Sequence, residues 1–242
     1  MTRTFIPRMD VLPSVQQQLW SHLNGAANLG FVLYGGTAIA LRLGHRQSVD
    51  FDFFCETPLD RVAIAQAMPF IARSTAIQDA NNSWSLLVPH DAFEVESEKQ
   101  ADDDSQRSDV KISFFGTIGF GRVGEPSMTE DGVMQVASMV DLMATKLKVV
   151  LQRAEAKDYR DVAAMLNAGA SLAHGLASAR AIFGPNFQPS ESLKALVYFA
   201  DGDLHTLSAA EKSILVSTVS EVRDLPVVSI VSKSLSLDKT SA

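Results

Sequence analysis

The sequence predicts an α/β protein: a small, twisted, mixed sheet with packed helices, followed by a C-terminal helical bundle that closes a cleft over it. Three observations predict this. Between Phe31 and Phe54 a short apolar run, a Gly-Gly pair, a helical run and an alternating run follow one another. Further apolar and period-two runs recur as far as Val136. From Ser138 onward the apolar spacing changes to that of amphipathic helices. The change divides a mixed α/β domain, residues 1–137, from a helical domain, residues 138–226, with 227–242 as a tail.

The elements follow in order. Residues 11–29 read as one helix, with Val15, Leu19 and Leu23 at helical spacing and Pro13 near its start. Phe31–Tyr34 reads as a buried strand, and Gly35-Gly36 opens a helix that Gly44 stops. Val49–Phe54 alternates apolar and acidic residues, so Val49, Phe51 and Phe53 face one side and Asp50 and Asp52 the other. Pro58 introduces a helix over 59–68, with Asp60 in its first turn. Strands are expected over 71–77 and 84–88, and Phe93–Glu96 continues as a hairpin. Ser97–Ser108, with Asp102, Asp103 and Asp104, reads as a solvated loop. In the next strand Val110, Ile112 and Phe114 share one face, and Asp109, Lys111 and Ser113 the other. Gly116–Pro126 lacks the Lys-Ser/Thr of a P-loop and reads as a connecting ribbon, and 132–136 as a last short strand. Ser138 caps a helix running to about Arg153, and a second starts at Ala156. Further helices are expected over 172–183, 192–199 and 208–222, the last with Ser208 and Glu211 as a capping box. Asp201-Gly202-Asp203 is a turn, and the Ser- and Val-rich tail reads as frayed or as a partner-binding strand.

Composition narrows the function. The 242 residues carry a net charge of −7, which argues against broad nonspecific nucleic-acid binding but leaves a local basic patch open. Cys55 is the only cysteine, so an intrachain disulfide is impossible and a zinc cluster implausible. No apolar run spans a bilayer and the first residues lack a signal-peptide core, so a cytoplasmic protein is expected, without a membrane partner. The five histidines show no ligand spacing, and His45 reads as a turn residue.

The chemistry concentrates between Gly35 and Asp52. Asp50 and Asp52 lie about 7 Å apart on one strand face, where each raises the other's pKa unless a cation sits between them. Mg²⁺ suits such a pair, because it takes one or two carboxylates and leaves its other positions to water and phosphate. The Gly-Gly turn opens a helix whose free N–H groups attract anions. An anion cradle and a divalent-metal site side by side fit a nucleoside triphosphate carried by Mg²⁺.

The order Gly35-Gly36, helix, Asp50-x-Asp52 resembles the signature of the DNA polymerase β-like nucleotidyltransferase superfamily. Within it, Gly35-Gly36-Thr37-Ala38 followed by Arg46-x-Ser48-x-Asp50-x-Asp52-Phe53 resembles the AbiEii/AbiGii toxin family. Lys146-x-x-Val149-x-x-x-Arg153 followed by Asp158-x-x-Asp161 is similar to that family's second block, and the resemblance covers roughly residues 30 to 166. It implies that Asp50 and Asp52 are catalytic and hold one or two Mg²⁺ ions. It implies that Gly35, Gly36 and Thr37 cradle phosphates, with Arg46 and Ser48 close by, and that Lys146 and Arg153 clamp the triphosphate. Asp158 would hold those cations or contact the nucleotide, and Lys146 and Asp161 would be essential to activity. The family commonly has a third carboxylate two residues after the position of Lys111; here Ser113 stands there. Asp109, in phase on the same face, is the metal-ligand alternative, with Glu94 or Glu96 as others.

The resemblance implies Mg²⁺-dependent transfer of a nucleoside monophosphate from a triphosphate to a hydroxyl. It suggests a toxin restrained by an antitoxin, with a tRNA 3′ end as acceptor. Two alternatives remain: transfer to a protein or small molecule, and a nucleotide-binding module without catalysis.

Overall fold

A computed structural model describes residues 3–92 and 109–237. The expected hairpin at Phe93–Glu96, the alternative ligands Glu94 and Glu96, the acidic run Asp102–Asp104 and the end of the tail lie outside the described residues. The strands are β1 (Thr4–Phe5), β2 (Val32–Tyr34), β3 (Asp50–Phe54), β4 (Thr75–Ala80), β5 (Ser83–Val88), β6 (Val110–Phe115), β7 (Ser127–Thr129) and β8 (Gln135–Val136). Among the described residues they form one mixed sheet in the order β1-β7-β8-β2-β3-β6-β5-β4. The α-helices are α1 (Ser14–Leu19), α2 (Asn24–Asn28), α3 (Gly35–Leu43), α4 (Arg61–Ala67), α5 (Met139–Val149), α6 (Ala156–Asn167), α7 (Leu172–Phe183), α8 (Pro189–Leu196) and α9 (Ala209–Glu221).

Alternation in β3 and β6 sorts the two sheet faces. Phe51, Phe53, Ile112 and Phe114 are fully buried. Phe53 stacks on Phe114 with centroids 5.4 Å apart, and Trp20 meets Phe51 at 6.4 Å. Each such ring removed from water contributes roughly 1.5–3 kcal/mol. Asp50, Asp52, Lys111 and Ser113 point to the opposite face, as the alternation requires. The helices from α5 onward follow the sheet directly, and the apolar core runs without interruption from the strands into α5, α6 and α7.

Several expectations change. The region 11–29 is not one helix but α1 and α2 with 3₁₀ turns before and between them. Its second part is pressed close to α4: a Cβ at Gly25 would lie 2.5 Å from the Ala67 carbonyl oxygen. Val49 precedes β3 and is exposed, rather than joining Phe51 and Phe53 in the core. Asp60 is the N-cap of α4, not a first-turn acid, and accepts from the Ala63 N–H at 2.9 Å. Residues 71–73 form part of a 3₁₀ turn, and the strand starts only at Thr75. Through Leu237 the tail is not frayed. Ser234 Oγ donates to Glu56 Oε1 at 2.8 Å, Leu235 is fully buried, and Arg122 and Ser232 form a β-bridge.

Candidate active site

β3 sits between β2 and β6, and the register sets the floor of a cavity. Asp52 is paired with Tyr34 on one side and Ser113 on the other; Asp50 is paired with Lys111. Ser113 is in turn paired with Ser85, and Ser85 with Gln78. Paired residues project to the same side of a sheet. The row Tyr34, Asp52, Ser113, Ser85, Gln78 therefore lines one side of a cavity of about 420 Å³. The opposite wall comes from α5 and the residues after it, through Thr145, Lys146, Val149, Arg153 and Lys157.

The two glycines at the start of α3 are there for the side chains they admit. Gly35 has a φ of +75°, and a Cβ there would stand 2.6 Å from Asp52 Oδ2. A Cβ on Gly36 would collide with the Arg46 guanidinium. The helix N-terminus thus lies directly against the Asp52 carboxylate and the Arg46 head group, and both glycines line the cavity. Thr37 is buried beneath this turn, with its Oγ1 bonded to Ser48 Oγ at 2.7 Å and to the Asp50 carbonyl, so it braces the turn from behind.

Behind the α5 wall lies a lattice of charge. Asp158 and Asp161 of α6 are fully buried and do not line the cavity. Asp161 receives Arg46 through Nε at 2.6 Å and Nη2 at 2.9 Å, Lys146 Nζ at 2.7 Å, and His45 Nε2 at 2.7 Å. Asp158 receives Lys146 Nζ at 2.6 Å, and Arg153 through Nε at 2.8 Å and Nη2 at 3.3 Å. Burial alone would raise both acids. The hydrogen bonds and charges of these partners outweigh it, and both stand below the ordinary carboxylate range, Asp161 far below. The lattice fixes Arg46, Lys146 and Arg153 in place. A Lys ammonium has three donors, and Lys146 spends two on the aspartates, so the third remains for the cavity that Lys146 lines.

Asp52 behaves oppositely. Burial, reinforced by the charge of Asp50, pushes it above the ordinary range against the pull of Lys111, Lys146 and Arg153. A desolvated carboxylate beside a second one is a place that favours a cation. Among the described residues no third carboxylate, histidine or cysteine completes a three-ligand cluster. The pair therefore fits an ion that takes one or two protein carboxylates and leaves its other positions to water and phosphate, as Mg²⁺ does.

Of the residues singled out from sequence, Gly35, Gly36, Arg46, Ser48, Asp50, Asp52, Lys146 and Arg153 meet in this cavity. Thr37, Asp158 and Asp161 stand directly behind it. Asp109 is exposed ahead of β6 and does not line the cavity. Sequence reasoning missed Lys111, Lys157, Gln78 and Ser85 as lining residues, and it set aside His45, which sits on Asp161. Lys111 already shared the face of Ser113 in the alternating pattern; His45 carried no such signal.

Comparison with known proteins gives a family, a sequence relative and two solved structures. The family model for the nucleotidyl transferase AbiEii toxin of type IV toxin–antitoxin systems matches residues 18–206. An uncharacterized protein of Aquifex aeolicus (strain VF5) is 27% identical over 134 residues, which are 54% of this chain and 55% of that protein. The crystal structure of a protein of H. pylori assigned as a nucleotidyltransferase superposes with a TM-score of 0.52 at 18% identity, covering 85% of this chain and 92% of the other. MenT4, a nucleotidyltransferase toxin from Mycobacterium tuberculosis H37Rv, gives a TM-score of 0.44 at 16% identity, over 86% and 87% of the two chains. The matching family model places this arrangement, a mixed sheet presenting Asp-x-Asp beside a Gly-Gly helix start and faced by cations from a helical half, in the nucleotidyltransferase class. Within that class the chain belongs to the AbiEii toxin family.

Proposed function

We propose that this protein transfers a nucleoside monophosphate from a nucleoside triphosphate to a hydroxyl acceptor, with Mg²⁺ held by Asp50 and Asp52. One observation carries the reading: the cation-seeking carboxylates, the α3 N-terminus and the immobilised Lys146 and Arg153 face one another across a single cavity of about 420 Å³. Residues 1–137 would supply the metal floor, and residues 138–226 would close the cleft.

The roles follow from position. Asp50 and Asp52 would hold the metal, which when bound offsets charge on the α-phosphate and the departing pyrophosphate. The α3 N-terminus faces the same space and would receive phosphate oxygens. Lys146 offers its remaining donor, and Arg153 its Nη1, which has no hydrogen-bond partner among the described residues, to the triphosphate. Ser48 lines the same cavity, beside the α3 turn. Asp158 and Asp161 would act through these cations rather than by touching substrate. In the step itself the acceptor oxygen bonds to the α-phosphorus as the bond to the bridging oxygen breaks. Pyrophosphate leaves, and the hydroxyl proton passes to water.

Membership of a type IV toxin–antitoxin family supports a toxin with a cognate antitoxin; action in the cytoplasm on a tRNA 3′ end belongs to the same proposal. Among the described residues no helix is long and apolar enough to cross a membrane. Ser113 in place of a third carboxylate favours one other reading, a nucleotide-binding module without turnover. A label-transfer assay separates the two. Each α-labelled triphosphate is incubated with protein, Mg²⁺ and total tRNA. Label on tRNA with wild type and none with an Asp50→Ala/Asp52→Ala double variant is expected. Triphosphate binding without label on any acceptor would select the silent module.

A further inference from the structure

The floor of the cavity departs from a two-metal arrangement at one register position. Ser113 lies directly beside Asp52 in the β3–β6 pair, where a carboxylate would complete a bridge between two cations. Its side chain is buried, and its Oγ is hydrogen-bonded to Ser85 Oγ at 3.0 Å. One row along, Lys111 is paired with Asp50, and its ammonium stands 3.9 Å from Asp50 Oδ2.

Lys111 differs from the other cavity cations that hold acids. Arg46, Lys146 and Arg153 are each bound to a buried aspartate of α6. Lys157, which also lines the cavity, pairs at 2.8 Å with Glu155, which does not. The acid facing Lys111 is one of the candidate metal ligands itself, and at 3.9 Å the pair is longer than a charged hydrogen bond. We infer that this site takes one divalent cation, and that the Lys111 ammonium supplies the second positive charge beside Asp50. The inference rests on the nucleotidyl-transfer reading above and specifies its metal count.

The physical case is a matter of charge and place. Two-metal sites hold their ions about 3.5–4 Å apart and need carboxylates shared between them. Here two carboxylates face the cavity, and the described residues add no third ligand of that kind. A second divalent ion would have to share Asp50 and Asp52 with the first while lying next to the Lys111 ammonium. The Lys111 ammonium is a compact point charge on a flexible stem. From its register position it lies beside Asp50 and lines the same cavity, where it would face a bound phosphate. The charge-neutral Ser113–Ser85 pair completes the floor without demanding another cation.

Electron paramagnetic resonance of Mn²⁺ counts the ions without relying on turnover. Wild-type protein would be loaded with Mn²⁺ and each of the four α,β-methylene triphosphates in turn. An isolated Mn²⁺ spectrum is expected in the ternary complex, and a Ser113→Asp/Lys111→Ala double variant should instead give an exchange-coupled pair. A coupled pair in wild type would overturn the single-ion inference while leaving the transfer reading standing. Absence of any protein-bound Mn²⁺ in wild type would overturn the transfer reading itself. In the transfer assay Lys111→Gln should lose about 10²-fold in rate while keeping the isolated Mn²⁺ signal, and Lys111→Arg should recover part of it. An unchanged rate in Lys111→Gln would remove Lys111 from the mechanism.

Discussion

Two pairs of aspartates, similar in sequence, sit in opposite electrostatic states. Asp158 and Asp161, three residues apart on α6, are fully buried and saturated with three cationic side chains and His45. Asp50 and Asp52, two apart on β3, have one lysine at 3.9 Å and each other. Both pairs are desolvated in part, yet Asp158 and Asp161 are held below the ordinary range and Asp52 is pushed above it. Burial acts in the same direction on all three, so the sign is decided by partners. The saturated pair has no capacity left for a ligand and serves to aim cations. The unsaturated pair is where a cation is wanted. A charged residue near a site is therefore functional in different senses, according to whether its demand is already met.

The largest expected effect comes from the unsaturated pair. Asp52→Asn should reduce transfer by more than about 10³-fold, because charge stabilisation in the transition state is lost with the metal. Its unfolding free energy should stay level or rise, since a desolvated carboxylate beside another is removed. Label transfer and urea unfolding on the same samples check both halves. A strong loss of stability would place Asp52 with the structural pair instead.

The saturated pair should respond in the opposite way. Asp161→Ala leaves the Arg46 and Lys146 cations, and His45, without their shared partner and should cost about 3–5 kcal/mol of unfolding free energy. Urea denaturation measures it. The same pair sets a pH window. A carboxylate whose folded pKa is depressed contributes stability that is present above its unfolded value, ~3.9, and is lost as pH falls through the folded value. Acid unfolding of wild type should therefore steepen below about pH 4, and Asp161→Asn should show a shallower slope there.

Much of this was legible in the sequence. Local periodicity located β3, β6, α6 and α7, because each carries a full alternating or helical pattern, whereas α9, which buries only Leu215, was marked by its complete capping box. β1 and β7 were not legible, since two or three residues establish no period and their pairing is with strands distant in the chain. The helix read over 11–29 failed because Val15, Leu19 and Leu23 keep their spacing through a chain that tightens to 3₁₀ at Trp20–Leu23. At the site, residues belonging to a motif were found and residues supplied by register were not. Lys111 enters beside Asp50, and Ser85 and Gln78 enter the row of Asp52, through strand pairing that spacing along the chain does not encode. His45 was read as a turn residue because its partner, Asp161, lies more than a hundred residues away.

Smaller changes sharpen the contrast. Gly35→Ala would force a Cβ into a left-handed backbone and onto the Asp52 carboxylate. About 1–2 kcal/mol of stability should be lost, together with most of the transfer activity. Activity falling much further than stability marks the glycine as belonging to the metal floor. Arg153→Lys keeps a charge but gives up the forked contact with Asp158, and should raise the KM for triphosphate about tenfold with little change in the thermal midpoint.

The most direct measurement is a Mg²⁺ titration followed by thermal unfolding, with an α,β-methylene triphosphate present, on wild type, Asp52→Asn and Arg153→Lys. Ligands that bind only the native state raise its stability in proportion to occupancy. The midpoint should rise with Mg²⁺ in wild type and in Arg153→Lys, and stay flat in Asp52→Asn. A Mg²⁺-dependent rise of the same size in Asp52→Asn would contradict the assignment of Asp50 and Asp52 as the cation-seeking pair.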